Sequence, residues 1–257
     1  ELSFQYEDEE PFVFKSSSAT QYFIEEMSRL NNNEVYWLST EPVSTPNKNE
    51  FIWEFEHYLP ENSPLGEEGE GLKLVMGVLE SGKRIDSSYV NLIPTPHGGT
   101  HEKGLRQGLF NGLLSFMNHY NLMPSKVNLD VEDLWSKTSF LLSAKILDPE
   151  FKGQVKEALN SREAVKIIEG LVKDSFELWL NERVDFAKQL ASFVVENAQA
   201  RAKIDAPKPM VKRTGGSTLP GKLTDCASSD NAITEMFICE GDSAGGGAKM
   251  ARDKEFQ

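Results

Sequence analysis

SYVNLIPTPHGGTHEKGLRQGL, residues 88–109, decides how this 257-residue chain folds. Ser88 to Thr95 read as one strand that runs into the Pro- and Gly-bearing turn PHGGTH. Beyond the turn, Leu105, Leu109, Leu113, Phe116 and Met117 recur at three- and four-residue steps. That spacing predicts a helix over 103–120 lying on a sheet. His97 and His101 stand four apart with Glu102 beside them, which resembles a metal site on paper. Gly98-Gly99 argues against a helix through both histidines, and no further ligand cluster is apparent. The stretch reads as a turn feeding the helix.

Towards the N-terminus, KLVMGVLE (73–80) and FIWEFEHYL (51–59) alternate as strands, separated by the acidic surface loop ENSPLGEEGEG. Residues 2–14 read as a strand or hairpin arm around EDEE. Ser17 or Ser18 caps a helix whose face is Tyr22, Ile24, Met27 and Leu30, ended by Asn31 to Asn33. Towards the C-terminus, VEDLW is a short helix and SFLLSAKIL (139–147) a buried strand, followed by a loop, DPEFKGQVKEAL. Two long helices come next, one facing inwards with Val165, Ile168, Leu171, Val172, Phe176 and Trp179, the other with Phe186, Leu190, Phe193, Val194 and Ala198. Charges over much of the second predict a projecting arm rather than a compact core. The basic, Pro- and Gly-rich PKPMVKRTGGST (207–218) is a natural boundary.

Hydrophobic residues make up 39 %, with 15 Phe and 4 Trp, enough for a sizeable core. No stretch approaches the roughly 20 apolar residues of a membrane helix, so no membrane partner is expected. Cys226 and Cys239 lack CxxC spacing, which disfavours zinc and suits a reducing cytoplasm. The N-terminus lacks an initiator Met and reads as a cut inside a longer protein. Net charge is −13, yet residues 1–100 hold 6 Lys/Arg against 18 Asp/Glu. So acidic a first part repels DNA. Between Arg201 and Thr224 six cations face only Asp205, a run that reads as a solvated linker or a phosphate contact.

Two further motifs carry chemistry. In EMFICEGDSAGG (235–246) an apolar run ends at Glu240 before a string of small residues. A strand presenting one acid at its carboxyl edge, then a turn able to approach phosphate, is how an open sheet offers a metal-ligating carboxylate. Asp242, with Ser243 as competitor, reads as the cap of the next helix. GSTLPGKL (216–223) nearly fits a P-loop but fails where chemistry matters. Leu223 replaces the Mg²⁺-binding hydroxyl, and Pro220 removes a cradle amide.

The 235–246 string resembles the toprim signature of type IIA DNA topoisomerases. With it, SYVNLIPTPHGGTHEKGLRQGL, DPEFKGQVKEAL (148–159), VKDSFELWLNE (172–182) and TLPGKLTDC (218–226) resemble, in one order, the B subunits of that family. They are nearer to those of bacterial topoisomerase IV than to those of DNA gyrase. The resemblance implies an α+β transducer domain with a mixed sheet, a left-handed βαβ crossover and long C-terminal helices, then an incomplete α/β toprim segment. Its divisions would be 1–15, the end of a GHKL-type ATPase domain; 16–206, transducer; 207–218, linker; and 219–257, the start of toprim. It also implies that Gln154 and Lys156 touch the γ-phosphate of ATP, that Glu240 helps hold Mg²⁺ for DNA cleavage, and that Lys222 approaches DNA. Val155 stands where the family usually has Thr. The family's later Asp-x-Asp pair and its ATP-site Glu, Asn and Gly-rich motifs have no match here. The partners implied are DNA and the cleavage subunit (the A subunit of topoisomerase IV), in a heterotetramer built on a homodimer of B subunits. The fragment alone is expected neither to hydrolyse ATP nor to cleave DNA.

Overall fold

The computed structural model describes residues 2–4, 12–14, 18–38, 51–125, 127–154, 156–205 and 224–257. The chain divides into two compact units, Glu1–Ala206 and Pro207–Gln257.

In the first unit, β1 (Leu2–Phe4) and β2 (Phe12–Phe14) form the expected antiparallel hairpin. Helix α1 (Ala19–Leu30) starts at Ser18, whose hydroxyl accepts from the Gln21 amide at 3.0 Å. Its inward residues are Phe23 and Met27, whereas Tyr22 is half exposed. Of the expected face, Met27 is buried and Ile24 and Leu30 are half-buried, but Phe23 takes the inward place expected of Tyr22.

The main sheet has β3 (Tyr36–Trp37), β4 (Ile52–Tyr58), β5 (Gly71–Ser81), β6 (Asp86–Val90), β7 (Ile93–Pro94) and β8 (Thr138–Lys145). Its order is β3-β5-β8-β6-β7, with β4 also paired to β5. Within this sheet only β6 and β8 pair in parallel among the described residues, with Ser88 opposite Leu142. Between them the chain crosses over through α2 (Thr100–His119) and the capped turn α3 (Val131–Trp135). Strand β5 is buried on both faces, which explains its near-continuous apolar run. Leu72, Leu74, Met76 and Val78 face the helical layer, and Val75 and Leu79 face α1.

One expected strand is two. The segment 88–95 turns back at Asn91 and Leu92, both at positive φ (50° and 67°). Asn91 tolerates that conformation and clamps Ile146 from both sides, donating to its carbonyl at 2.8 Å and accepting from its amide at 3.0 Å. The loop at 148–159 contains a small hairpin, β9 (Phe151–Lys152) and β10 (Ala158–Leu159).

Helices α4 (Glu163–Glu182) and α5 (Val184–Asp205) pack into the core, correcting the expectation of an arm. Gly104, Gly108 and Gly112 of α2 lie against the α4 backbone at Val165, Glu169 and Lys173, a near approach only glycine permits. On α5 the small residues Ala187, Ala191 and Ala198 are buried beside Phe186, Leu190 and Val194. Its charged residues Asp185, Lys188, Glu196 and Lys203 are exposed. Near its end Arg201 reaches across to Asp133, 3 % exposed, at 2.9 Å.

The second unit has one helix, α6 (Asp242–Ala251), among its described residues. The apolar run Met236–Cys239 is not a strand there, and Met236 and Ile238 are 85 % and 88 % exposed. A strand needs a partner edge, and none is offered among the described residues of this unit. Gly241, rather than Asp242 or Ser243, occupies the N-cap position of α6, and no side-chain cap bond is made there. Among the described residues, no helix is long and apolar enough to cross a membrane.

Candidate functional site

The fold explains how the loop that follows β8 is held out. Asp148, at φ 45°, turns the chain out of β8, and Glu150 and Asn160 close the base of the hairpin. The Asn160 amide donates to the Glu150 carbonyl at 2.7 Å, and the Glu150 amide donates to the Ser161 hydroxyl at 2.8 Å. Leu159, only 3 % exposed, pins β10 to the core. At the tip lie Gly153, Gln154 and Lys156, all exposed. Gly153 (φ 76°) and Lys156 (φ 58°) are left-handed, and for lysine that conformation costs on the order of 1 kcal/mol. The Lys156 ammonium sits 5.6 Å from the centroid of the Phe151 ring. That cation–π contact orients the side chain and leaves its amine open to solvent. Gln154 and Lys156 are thus both exposed at a braced tip.

The brace is the turn PHGGTH. The His97 amide donates to the Glu157 carbonyl, and the Leu159 amide to the Gly98 carbonyl, both at 3.0 Å. His97 and Glu157 also meet through their side chains at 3.2 Å. Gly99 forms a parallel bridge with Leu159 at φ 137°, ψ −156°, a region open essentially to glycine alone. A Cβ there would strike the Leu159 carbonyl oxygen and lie 2.5 Å from its amide nitrogen. The paired glycines thus let a strap of backbone lie directly on β10. Helix α2 begins at Thr100, so His101 lies inside its first turn.

Behind the strap a polar cluster is buried. His101, 0 % exposed, has its Nε2 3.1 Å from the Thr95 hydroxyl, which is 2.7 Å from the Ser88 hydroxyl. Ser88 in turn donates to Glu102 Oε1 at 2.5 Å. Burial pulls the His101 pKa down to about 4 and pushes that of Glu102 upwards. A neutral, enclosed imidazole with no ligand neighbours is no metal centre. The spacing of His97, His101 and Glu102 invited one reading for all three, but they divide between a surface pair and a buried cluster.

Glu240 lies exposed in the turn just before α6. It does not make a metal site by itself, since no group of three His, Cys, Asp or Glu side chains converges among the described residues. The residues described thus do not fit a magnesium ion unaided. Gln154 and Lys156 belong to the first unit and Glu240 to the second. Lys222, Val155 and most of the basic run at 201–224 lie outside the described residues. Cys226 and Cys239 are both free thiols.

Comparison with known proteins bears on this geometry. The family described as DNA gyrase B matches residues 36–208. The DNA topoisomerase 4 B subunit of Pseudomonas aeruginosa is 51 % identical over 178 residues, 69 % of this chain and 28 % of that protein. The Haemophilus influenzae protein of the same name is 42 % identical over 239 residues, 90 % of this chain and 37 % of its own length. The chain thus spans about a third of the curated relatives it matches. Among solved structures, the topoisomerase IV ATP-binding domain of Francisella tularensis, bound to a small-molecule inhibitor, superposes with a TM-score of 0.51. It is 30 % identical and covers 58 % of this chain and 39 % of its own.

Proposed function

This chain belongs to the DNA gyrase B family, and from that premise we propose that it is a coupling segment of a type II DNA topoisomerase B subunit, of the topoisomerase IV kind. In the complete subunit it would link ATP binding and hydrolysis to passage of one DNA duplex through another. The observation that carries this reading is the braced hairpin tip. Gln154 and Lys156 are exposed and neighbouring, and Lys156 is held in a strained conformation.

ATP bound by a neighbouring domain supplies the terminal phosphate. Lys156 gives that phosphate a point charge and Gln154 an amide donor. ADP offers them nothing, so the tip feels differential binding between the two nucleotides. A contact of this kind is worth about 1.5–3 kcal/mol. Helices α4 and α5 follow β10 in the chain and would carry the movement away from the hairpin.

Residues 219–257 are read as the opening of a toprim domain, with Glu240 as one ligand of Mg²⁺ and Lys222 near the DNA backbone. The β6–β8 crossover is read as left-handed, against the usual rule. The working assembly is a heterotetramer of two B and two cleavage subunits in the cytoplasm. The relatives at 42–51 % identity favour the topoisomerase IV kind over gyrase. The complete protein reconstituted with its cleavage partner should unlink catenated DNA circles in an ATP-dependent way without supercoiling relaxed plasmid. Negative supercoiling would assign it to the gyrase kind, and absence of strand passage would refute the proposal. Retained Mg²⁺-dependent cleavage in Glu240→Gln would instead make this segment purely mechanical.

A further inference from the structure

We propose that Thr95, fixed between Ser88 and His101, is a positioning residue that aims the hairpin bearing Gln154 and Lys156. The inference rests on the reading of that hairpin as a phosphate contact. Its grounds are the direction of one hydrogen-bond chain and the place where the chain ends.

With Glu102 ionised and the Ser88 proton given to it rather than to the Thr95 carbonyl 3.2 Å away, the hydrogens take one order that makes every side-chain bond. Ser88 has one hydroxyl proton and gives it to Glu102 Oε1. The 2.7 Å bond between Ser88 and Thr95 must then be donated by Thr95. Thr95, its proton committed, can only accept from His101 at 3.1 Å. The imidazole is therefore neutral with its proton on Nε2. Its Nδ1 is left as a bare lone pair, and that atom is buried without a hydrogen-bond partner. An imidazole oriented at the expense of one buried acceptor is held by the chain rather than by its own best solvation. The basicity of the ring, depressed by burial, agrees with a neutral imidazole.

The chain ends on the strap. Thr95 closes β7 against β6 through its amide, which donates to the Ser88 carbonyl at 2.9 Å. Its own carbonyl accepts from the Gly98 amide at 2.8 Å, and the Gly98 carbonyl accepts from the Leu159 amide. Thr95 is thus joined through one residue, Gly98, to the strand that ends the hairpin. Its hydroxyl ties that path to β6 through Ser88 and to α2 through His101. Glu102 completes the enclosure, since a Cβ on Gly98 would strike its Oε2 and lie 2.7 Å from its Cδ. A purely space-filling role would be met equally by valine, which has the same shape as threonine. A positioning role would not. Thr95→Val leaves the His101 donor and the Ser88 acceptor unpaired, and the strap is free to shift.

The test uses Thr95→Val, Thr95→Ser and Lys156→Ala in the complete subunit, titrated with a non-hydrolysable ATP analogue and with ADP. The same variants in the present chain are followed by amide exchange at Leu159. The valine variant should lower the preference for the ATP analogue over ADP by about tenfold, the equivalent of one buried hydrogen bond. Serine, which keeps the hydroxyl, should hold that preference within about twofold by the same argument. Leu159 should exchange about tenfold faster in the valine variant only. An unchanged preference in Thr95→Val, where Lys156→Ala lowers it, overturns the positioning role and leaves the hairpin reading standing. If Lys156→Ala itself leaves the preference unchanged, the hairpin does not touch the phosphate. In that case Leu159 decides: unaltered exchange in Thr95→Val overturns the positioning role as well, and faster exchange upholds it.

Discussion

Replacing Gly99 by alanine tests the contact between strap and hairpin more severely than any other single change. At φ 137°, ψ −156° an alanine costs about 1–3 kcal/mol in backbone strain alone. Its Cβ would also collide with the Leu159 backbone, so the strap must withdraw. Withdrawal weakens two backbone hydrogen bonds, His97 to Glu157 and Leu159 to Gly98, at about 1 kcal/mol each. Alanine returns roughly 0.4–1 kcal/mol by restricting the unfolded chain. The net loss should be about 2–4 kcal/mol, a large share of a stability that is typically about 5–15. Gly153→Ala is the control: its φ is 76° but nothing lies within 4 Å of the added methyl, so only about 1 kcal/mol should be lost. Urea unfolding of the two variants beside the parent chain gives both numbers. Equal losses, or a Gly99→Ala loss under about 0.5 kcal/mol, would refute the claim that this glycine is there for the contact.

Gly108→Ala places a methyl 2.8 Å from Val172 Cβ. Overpacking of α2 on α4 should outweigh the gain in helix propensity and leave a net loss of about 1–2 kcal/mol by thermal unfolding. Arg201→Ala removes the cation from the buried carboxylate of Asp133, which keeps its bond from the Asp130 amide, and should cost about 2–3 kcal/mol, whereas Arg201→Lys should recover part of it; equal losses would show that the ion pair contributes nothing. For His101 the folded pKa of about 4 lies below the unfolded value near 6.5, so the unfolded chain binds the proton first as pH falls. Stability should therefore drop across that window by up to about 3 kcal/mol, partly offset by the raised Glu102, and His101→Gln should flatten the slope measured between pH 7 and 4.5. Lys222→Ala in the complete subunit should weaken DNA binding and reduce its salt slope by about one unit; an unchanged slope would take Lys222 off the DNA.

Strands were legible wherever one face met water or turn residues bounded the run, as at 51–59 and 138–145. The split at Asn91 and Leu92 was hidden because an apolar residue, Leu92, occupies a left-handed position that sequence pattern does not assign to it. The inward faces of α4 and α5 were legible, but α5 was misjudged as an arm because its charges outweighed, on paper, a buried face of Phe186, Leu190, Val194 and Ala198 that Ala187 and Ala191 widen. The exposed run at Met236–Cys239 shows the opposite failure. Its pattern is that of a strand, but pairing is a property of two segments, and the described residues of its unit offer only one. Gln154 and Lys156 could be found only through resemblance to a family. The reason they project was nevertheless written in the PHGGTH turn, whose glycines are needed for close approach and not for a bend alone.

The central claim is that Lys156 distinguishes ATP from ADP. Titration of the complete subunit with a non-hydrolysable ATP analogue and with ADP, in parent and Lys156→Ala forms, addresses it directly. The variant should bind the analogue about 10- to 100-fold more weakly while ADP binding is unchanged. Equal weakening of both nucleotides, or none of either, would contradict it.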